Sequence, residues 1–318
     1  MQLRESSLHK KGLRRFISDF RLYKKHWALA VLLLPTIIYF VIFKYIPISG
    51  LAMAFKDYKI GLGIWASPWV GLDNFSFAFS TATFTRAFTN TVIISFLKIL
   101  TGFPAPIILA LLLNEVRHMK YKRTIQTISY LPHFLSWVIV AGLFSQLLSP
   151  TTGVVNYVLK TYFGLDKPIY FLGSNDWFRG TLIVTDIWKD VGWGSILYIA
   201  SIAGIDPSMY EAAVCDGANR FQRLRYITLP SLMPTITIML ILRVGNVMVA
   251  GFDQIFNLYN PAVYKTADII DTFVYRYGIG QMKYSLSTAV GLFQNLIGFV
   301  MVVGMNFVAN KINDSGIW

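Results

Sequence analysis

Long apolar stretches alternate along this chain with shorter segments that hold most of its charged residues. An α-helix needs roughly 20 apolar residues to cross a bilayer, and six stretches reach about that length. They cover residues 27–48, 88–113, 126–148, 181–204, 232–255 and 285–310. Since backbone groups must be hydrogen-bonded in hydrocarbon, and the runs do not alternate as barrel strands do, the pattern predicts membrane-spanning helices.

Composition supports an all-α, polytopic membrane protein. Of the 318 residues, 55% are hydrophobic and 14% are charged, whereas a soluble domain has about 25% charged residues. The expected organisation is a tail over 1–26, a six-helix domain over 27–310 and a short tail over 311–318. No small-residue cleavage site follows the first apolar run, so we expect that run to remain as an uncleaved helix.

The positive charge of the chain predicts its orientation. The formal net charge is +13, which in a soluble protein would suggest nucleic acid. Here Lys and Arg are concentrated in 1–26, 114–125 and 205–230, and are sparser in the longer loops on the other side. The positive-inside rule then places both termini in the cytoplasm. The basic tail can contact anionic membrane lipid, and no nucleic-acid partner is expected.

The sequence lacks the common signatures of catalysis. Its single cysteine, Cys215, excludes an intrachain disulfide, and no Cys/His spacing indicates a metal site. There is no G-x-x-x-x-G-K-[ST], G-x-S-x-G or H-E-x-x-H. We therefore expect no catalytic, metal or cofactor-binding residue in this chain, and no ATP hydrolysis by it.

The polar loop 205–230 between the fourth and fifth apolar runs predicts two short helices. Asp206 as N-cap and Pro207 at the first helical position begin one of them, and Ser208 is an alternative N-cap. Gly217 is expected to end it with a left-handed residue. A second short helix is expected over 219–228, before a membrane helix that Pro230 precedes.

The same loop resembles the EAA loop of ABC-importer permeases, and we call residues 205–230 the EAA loop. The matching positions are Glu211, Ala212, Ala213, Asp216, Gly217, Ala218, Ile227, Leu229 and Pro230. In that family the loop lies on the cytoplasmic side and docks into a groove of an ATPase subunit. The alternative from spacing alone is an amphipathic interfacial loop without a partner.

Other segments extend the resemblance over nearly the whole chain. The run 69–75, W-V-G-L-D-N-F, resembles an external element of carbohydrate-importer permeases, and Arg123-Thr124 with 130–132 resembles the entry to their third helix. The run 252–261 is similar to that of importers of polysaccharide-derived oligosaccharides, including alginate oligosaccharides.

The resemblance implies a type I, maltose-importer-like fold in the bacterial cytoplasmic (inner) membrane. It implies a second, non-identical permease, two ABC ATPase subunits that bind ATP and Mg, and an external solute-binding protein. The implied substrate is an oligosaccharide, acidic if the alginate-like resemblance holds.

Charged residues inside membrane spans usually face a cavity or a partner, and Lys98, Lys189 and Arg243 are such residues. Helical spacing predicts an ion pair between Asp186 and Lys189. Lys98 and Arg243 have no obvious local acid. Our hypothesis is that Arg243, with Asn246 one turn on, lines the pathway and meets the carboxylates of an acidic sugar. The alternative is a structural salt bridge from Arg243 to Asp186, to Asp190 or to the partner permease.

Aromatic faces and polar side chains also bind sugars. Further pathway candidates are Trp188, Trp193, Asp253, Gln254, Gln294 and Asn295. A tryptophan near a helix end is more often an interfacial anchor, and an amide in a span often bonds a neighbouring helix. Two functional alternatives remain at this point: an ABC permease for a peptide or an amino acid, and a stand-alone secondary transporter.

Overall fold

The computed structural model describes residues 27–313, so the predicted tail 1–26 and residues 314–318 lie outside the described range. Within that range the chain is helical and has no strand. Its one β feature there is an isolated antiparallel bridge between Lys56 and Trp69. The predicted all-α fold class is confirmed.

The helices are numbered in chain order. They are α1 (Trp27–Phe55), α2 (Gly63–Ala66), α3 (Asp73–Ser80), α4 (Ala82–Gly102), α5 (Pro104–Glu115), α6 (Met119–Phe134), α7 (Trp137–Leu147), α8 (Val154–Phe163), α9 (Asn175–Ala203), α10 (Pro207–Cys215), α11 (Arg220–Gly245), α12 (Phe252–Leu258), α13 (Tyr264–Ala267), α14 (Ile270–Tyr275) and α15 (Tyr284–Asn313).

In residues 27–313, four helical segments are long and apolar enough to cross a membrane: α1, α4 with α5, α11 and α15. A fifth span results if the bent pair α6 and α7 is counted as one. The sixth predicted span lies in α9, which is 29 residues long. Its charged residues Asp186, Lys189 and Asp190 make this helix less apolar than a typical membrane span.

The predicted span 126–148 is not one straight helix. It is divided into α6 and α7, whose axes are bent by 105° at a short break. Pro132, which has no N–H to continue the helical ladder, lies in the 3₁₀ turn that ends α6. The side chain of Ser136 then accepts a hydrogen bond from the Ile139 N–H, which caps the start of α7.

The predicted span 232–255 was too long at its end, because the helix stops at Gly245. Residues 246–251 form a turn in which Gly251 has φ +98°, a left-handed conformation that suits glycine. Asp253 and Gln254 therefore belong to the separate helix α12. The hydropathy of the sequence did not predict the end of this helix, because the residues of the turn are mostly apolar.

Helix α9 lies at the centre of the fold and packs against α4, α5 and α6. One buried cluster joins its Phe178 and Leu182 to Ile94 of α4 and Ile255 of α12. Towards its other end, a second cluster joins residues of α5, α9 and α11. By contrast, the side chains of 31–48 in α1 are all exposed, which leaves that helix for lipid or a partner subunit.

The run 69–75 has a structural role that its sequence did not reveal. The Asn74 side-chain amide donates to the carbonyl oxygens of Ala54, at 2.9 Å, and Lys56, at 3.0 Å. Gly71 turns the chain with φ +61°. Together these contacts satisfy the free carbonyls at the end of α1 and hold α3 against it.

A buried polar network fixes the segment between α12 and α15. Asp268 is fully buried and accepts hydrogen bonds from both terminal nitrogens of Arg276, at 2.7 and 2.6 Å. This bond raises the pKa of Arg276. Asn90 of α4 donates to the Asp268 carbonyl at 2.9 Å and accepts from Arg179 of α9 at 2.8 Å. The segment is thereby tied to both helices.

Close approach of α9 to α6 depends on Gly192. A Cβ atom at this position would lie 2.1 Å from the backbone oxygen of Ser129. Gly180 lies on the same helix and has open space around it. Both glycines lie inside the same helix, but only Gly192 is in close contact with a neighbouring helix.

We predict that Gly192→Ala destabilises the protein by about 1–3 kcal/mol, because the methyl group has to push two helix backbones apart. The matched control Gly180→Ala should be neutral or slightly stabilising, since alanine favours helix by about 0.5–1 kcal/mol. The midpoint of thermal unfolding of the detergent-solubilised protein measures both. Equal midpoints for the two variants would contradict this packing.

Candidate functional site

The first half of the EAA loop forms the predicted capped helix α10. The carboxylate of Asp206 accepts a hydrogen bond from the Ser208 N–H at 2.9 Å, and Pro207 follows at the first helical position. This backbone hydrogen bond lowers the pKa of Asp206. Gly217 ends the helix with φ +79°. Asp206, and not Ser208, is therefore the N-cap.

The second half of the loop differs from the prediction of a separate helix over 219–228. Asn219 and Gln222 form a capping box that begins α11. The helix then continues through Pro230 to Gly245 without a break. A π turn precedes the proline: the N–H of Leu229 donates to the carbonyl of Leu224, five residues back instead of four. Because the backbone hydrogen bonds are shifted at this turn, the helix can accommodate Pro230, which has no N–H.

The EAA motif residues are mostly accessible. The exposed positions are Glu211, Ala212, Asp216, Gly217, Leu229 and Pro230, and the half-buried ones are Ala213, Ala218 and Ile227. Beside them the apolar side chains of Met209, Val214 and Phe221 are exposed by 46%, 54% and 66%. An exposed apolar surface next to an acidic residue is typical of a site where another protein docks.

Hydrogen bonds beneath the loop join α10 to α11. The hydroxyl groups of Tyr210 and Thr228 lie 2.9 Å apart, and Thr228 is buried. Arg220, at the start of α11, has its guanidinium 3.9 Å from the carboxylate of Glu115 at the end of α5. These contacts join α10 to α11, and the start of α11 to the end of α5.

A second constellation surrounds Asp186 in the middle of α9. The amine of Lys98, from α4, lies 2.8 Å from one carboxylate oxygen, and Nη2 of Arg243, from α11, lies 3.9 Å from the other. The structure supplies for Lys98 an acid that the sequence did not indicate, and for Arg243 it shows the contact with Asp186 that was the stated alternative. A contact between different helices leaves no signal in the local spacing of one sequence.

Lys98 and Gln254 belong to a closed network. The amine of Lys98 also contacts the side-chain oxygen of Gln254. The Gln254 amide donates to the carbonyl of Leu182 at 2.7 Å and to the hydroxyl of Thr185 at 2.8 Å. Lys98 is 5% exposed and Gln254 is 1% exposed. Both pathway candidates are therefore engaged with other protein groups.

The predicted ion pair between Asp186 and Lys189 is not formed. The amine of Lys189 donates to the carbonyl of His133 at 2.7 Å and lies 4.0 Å from Asp190. The imidazole of His133 in turn lies 2.7 Å from Asp190. Because the helix is broken between α6 and α7, the carbonyl of His133 is not used by a backbone hydrogen bond of the helix, and it accepts one from Lys189 instead.

The accessible charges meet at a cavity of about 160 Å³ between α5, α9 and α11. Asp186, Asp190 and Arg243 line it. The side chains of Arg243 and Asp190 are each 46% exposed, whereas that of Asp186 is 15% exposed. Asn246 is exposed nearby on the chain and bonds back to the Leu242 carbonyl at 3.0 Å. Arg243 is therefore the accessible cation of the cavity wall.

The aromatic candidates lie on α9 and not at a helix end. The ring of Trp193 stacks on His133 with 4.6 Å between the ring centres. Trp188 makes an edge-to-face contact with Phe144 at 5.2 Å. Both tryptophans keep 38% or more of their surface exposed. Both are therefore partly covered by neighbouring rings and partly accessible.

The remaining candidates divide into bonded and free groups. The amide of Gln294 donates to the Met248 carbonyl at 2.7 Å and to Asp271 at 2.9 Å, so it joins α15 to the preceding segment. Asn295 is exposed and bonds its own helix at Gly291. Asp253 is also exposed. Across residues 27–313 no group of three or more metal-ligating side chains comes together.

Comparison with known families places the chain. The family described as "Binding-protein-dependent transport system inner membrane component" matches residues 102–314, which include α5 to α15 and the EAA loop. Protein LplB of Bacillus subtilis (strain 168) is 46% identical over 302 residues, covering 95% of this chain and 94% of that protein. "Polygalacturonan/rhamnogalacturonan transport system permease protein YteP" of the same organism is 42% identical and covers 91% and 90%.

Two solved structures are also similar. One is a bacterial ABC transporter involved in the import of the acidic polysaccharide alginate, with a TM-score of 0.86, 45% identity and coverage of 92% of this chain and 99% of that chain. The other is a bacterial alginate ABC transporter in complex with an alginate pentasaccharide-bound periplasmic protein, with the same score and identity and 94% and 99% coverage. The chain belongs to the family of binding-protein-dependent transport system inner membrane components, and its fold is that of an ABC-importer permease.

Proposed function

We propose that this chain is the membrane-spanning permease subunit of an ATP-driven ABC importer for an acidic oligosaccharide. The single observation that carries the choice of an acidic substrate is the half-exposed guanidinium of Arg243 in the cavity wall. Support comes from two relatives whose names specify polygalacturonan and the acidic polysaccharide alginate. A family of binding-protein-dependent systems argues against the stand-alone secondary transporter, and these names argue against a peptide or an amino acid.

Arg243 is suited to recognise a carboxylate. Asp186 is neutralised at 2.8 Å by Lys98, and the 3.9 Å separation leaves Arg243 outside hydrogen-bond distance of it. The guanidinium therefore keeps donors for two parallel bonds to a sugar carboxylate. Asn246, Trp188 and Trp193 are exposed and complete the proposed pathway set with Asp253 and Asn295.

The energy comes from partner subunits. Two ABC ATPase subunits bind ATP and Mg, and one of them docks on α10 around Glu211, Ala212 and Ala213. A second permease completes the pathway, and an external solute-binding protein delivers the sugar. The described Glu211 side chain is exposed and forms no hydrogen bond or ion pair within residues 27–313, so it is available to a partner.

The proposed placement follows from this docking. The EAA loop faces the cytoplasm in the bacterial inner membrane, with the basic tail 1–26 and the tail 311–318 on the same side. The domain 27–310 is non-catalytic. ATP binding moves α10, which contacts α11 through the hydroxyl groups of Tyr210 and Thr228. Helix α11 runs from Arg220 to Gly245 and transmits the movement to Arg243.

We predict that Glu211→Gln lowers the retention of ATPase subunits about ten-fold, since a charge-assisted contact between proteins is lost. Co-purification through a tag on this chain measures retention. The control is Asp57→Asn, which removes an exposed carboxylate outside the EAA loop, in the segment after α1, where it lies 3.7 Å from the amine of the exposed Lys59. If both variants retain the ATPase as the unchanged protein does, Glu211 has no role in docking.

We predict that Arg243→Gln lowers uptake of an acidic oligosaccharide at least about ten-fold and leaves uptake of a neutral one of equal length unchanged. Uptake into vesicles that contain the assembled importer measures both. Unchanged acidic uptake would show that Arg243 is a structural partner of Asp186.

The contrasting variant is Lys98→Gln, which removes the buried partner of Asp186. Breaking a buried pair costs about 3–5 kcal/mol, so this variant should lower the thermal stability of the complex and the uptake of both sugars alike. A loss confined to the acidic sugar would place Lys98 in the pathway as well.

A further inference from the structure

A polar cavity of about 310 Å³ lies beneath the EAA loop, between the end of α5, α10 and the first turns of α11. Arg117, Arg220 and Arg223 line it, together with Glu115 and Tyr210. Cations therefore outnumber anions in its wall by two. Such a wall favours an anionic ligand.

Arg223 lines this cavity and has a side-chain donor without a partner among residues 27–313. Its Nε is buried and has no hydrogen-bond partner among residues 27–313. A buried N–H without an acceptor is costly, and a guanidinium donates in the fork geometry that suits phosphate oxygens. The nearest acid in the wall, Glu115, pairs loosely with Arg220 at 3.9 Å and does not reach Arg223 with a hydrogen bond or ion pair.

The depth of the cavity indicates which anion reaches it. Glu115 is the last residue of the span Ala82–Glu115, and Arg220 is the first residue of the span Arg220–Gly245. The ends of spanning helices lie at the level of the lipid headgroups. On this basis we place the three arginines near the level where the phosphates of membrane lipids are concentrated.

We propose that this cavity binds a phosphate group through Arg117, Arg220 and Arg223, and that an anionic phospholipid headgroup supplies it. A soluble phosphate has the same chemistry, but the level of the cavity at the membrane surface favours the lipid. The bound group joins α5 to α11 next to Tyr210, which precedes Glu211 and bonds to Thr228. Occupancy therefore holds α10 in place against the ends of two spans.

Binding of the phosphate group requires neither the proposed sugar nor the proposed docking of an ATPase. The test is made on the purified complex that contains this chain, delipidated in detergent and titrated with phosphatidylglycerol. Native mass spectrometry counts the lipid retained. The complex should retain phosphatidylglycerol about ten-fold better than phosphatidylcholine, since the latter carries a cation that offsets its phosphate.

The decisive variant is Arg223→Gln, which should weaken phosphatidylglycerol retention about ten-fold. Its matched control is Arg225→Gln, because Arg225 lies in the next half-turn, is exposed and packs over the ring of Tyr226 at 5.7 Å, outside the cavity. The control should retain lipid unchanged. Arg223→Lys keeps the charge and should retain most of the binding.

Inorganic phosphate separates the two sources of the ligand. The lipid assignment predicts that millimolar phosphate leaves phosphatidylglycerol bound, and full displacement would overturn it in favour of a soluble ligand. Equal retention by Arg223→Gln and Arg225→Gln, or equal retention of the two lipids by the unchanged complex, would overturn the site. Loss of ATPase subunits from Arg223→Gln with lipid retention unchanged would assign the arginine to a protein carboxylate and would also overturn it.

Discussion

Neutralisation of Asp186 is the interaction on which the arrangement of the membrane helices depends. An unpaired carboxylate in the middle of a membrane helix is costly, and Lys98 lies 2.8 Å from it. The same contact brings α4 to α9, while Gln254 brings α12 to both of them. Arg243 approaches the carboxylate from α11 at 3.9 Å. The central charge thus organises four helices around one point.

The EAA loop and the Asp186 cluster are connected by continuous structure. Helix α11 begins in the loop at Arg220 and ends just beyond Arg243. Helix α9 carries Asp186 and ends immediately before α10. Helix α10 is therefore joined along the chain to two of the three helices that line the cavity around Arg243. Such a geometry lets binding at one site bias the other through rigid elements and not through a chain of loose contacts.

Sequence reasoning predicted the local features, but of the contacts between helices at Asp186 it offered only the one with Arg243, as an alternative, and it missed the one with Lys98. The cap at Asp206 and the turn at Gly217 follow from residue preferences, and both are present. Helix existence followed from hydropathy, but the breaks at Pro132 and after Gly245 did not, because these turns are apolar. The partner of Asp186 was assigned by helical spacing to Lys189, whereas a carbonyl freed by the α6–α7 break holds that lysine.

The most direct test compares ATP hydrolysis by the reconstituted importer with acidic and neutral oligosaccharides of equal length. The complex is purified through a tag on this chain and combined with its solute-binding protein in vesicles. The account predicts that ATP hydrolysis rises with the acidic sugar alone. A rise with the neutral sugar alone would contradict carboxylate recognition at Arg243, and the absence of any co-purifying ATPase would contradict the role of the EAA loop.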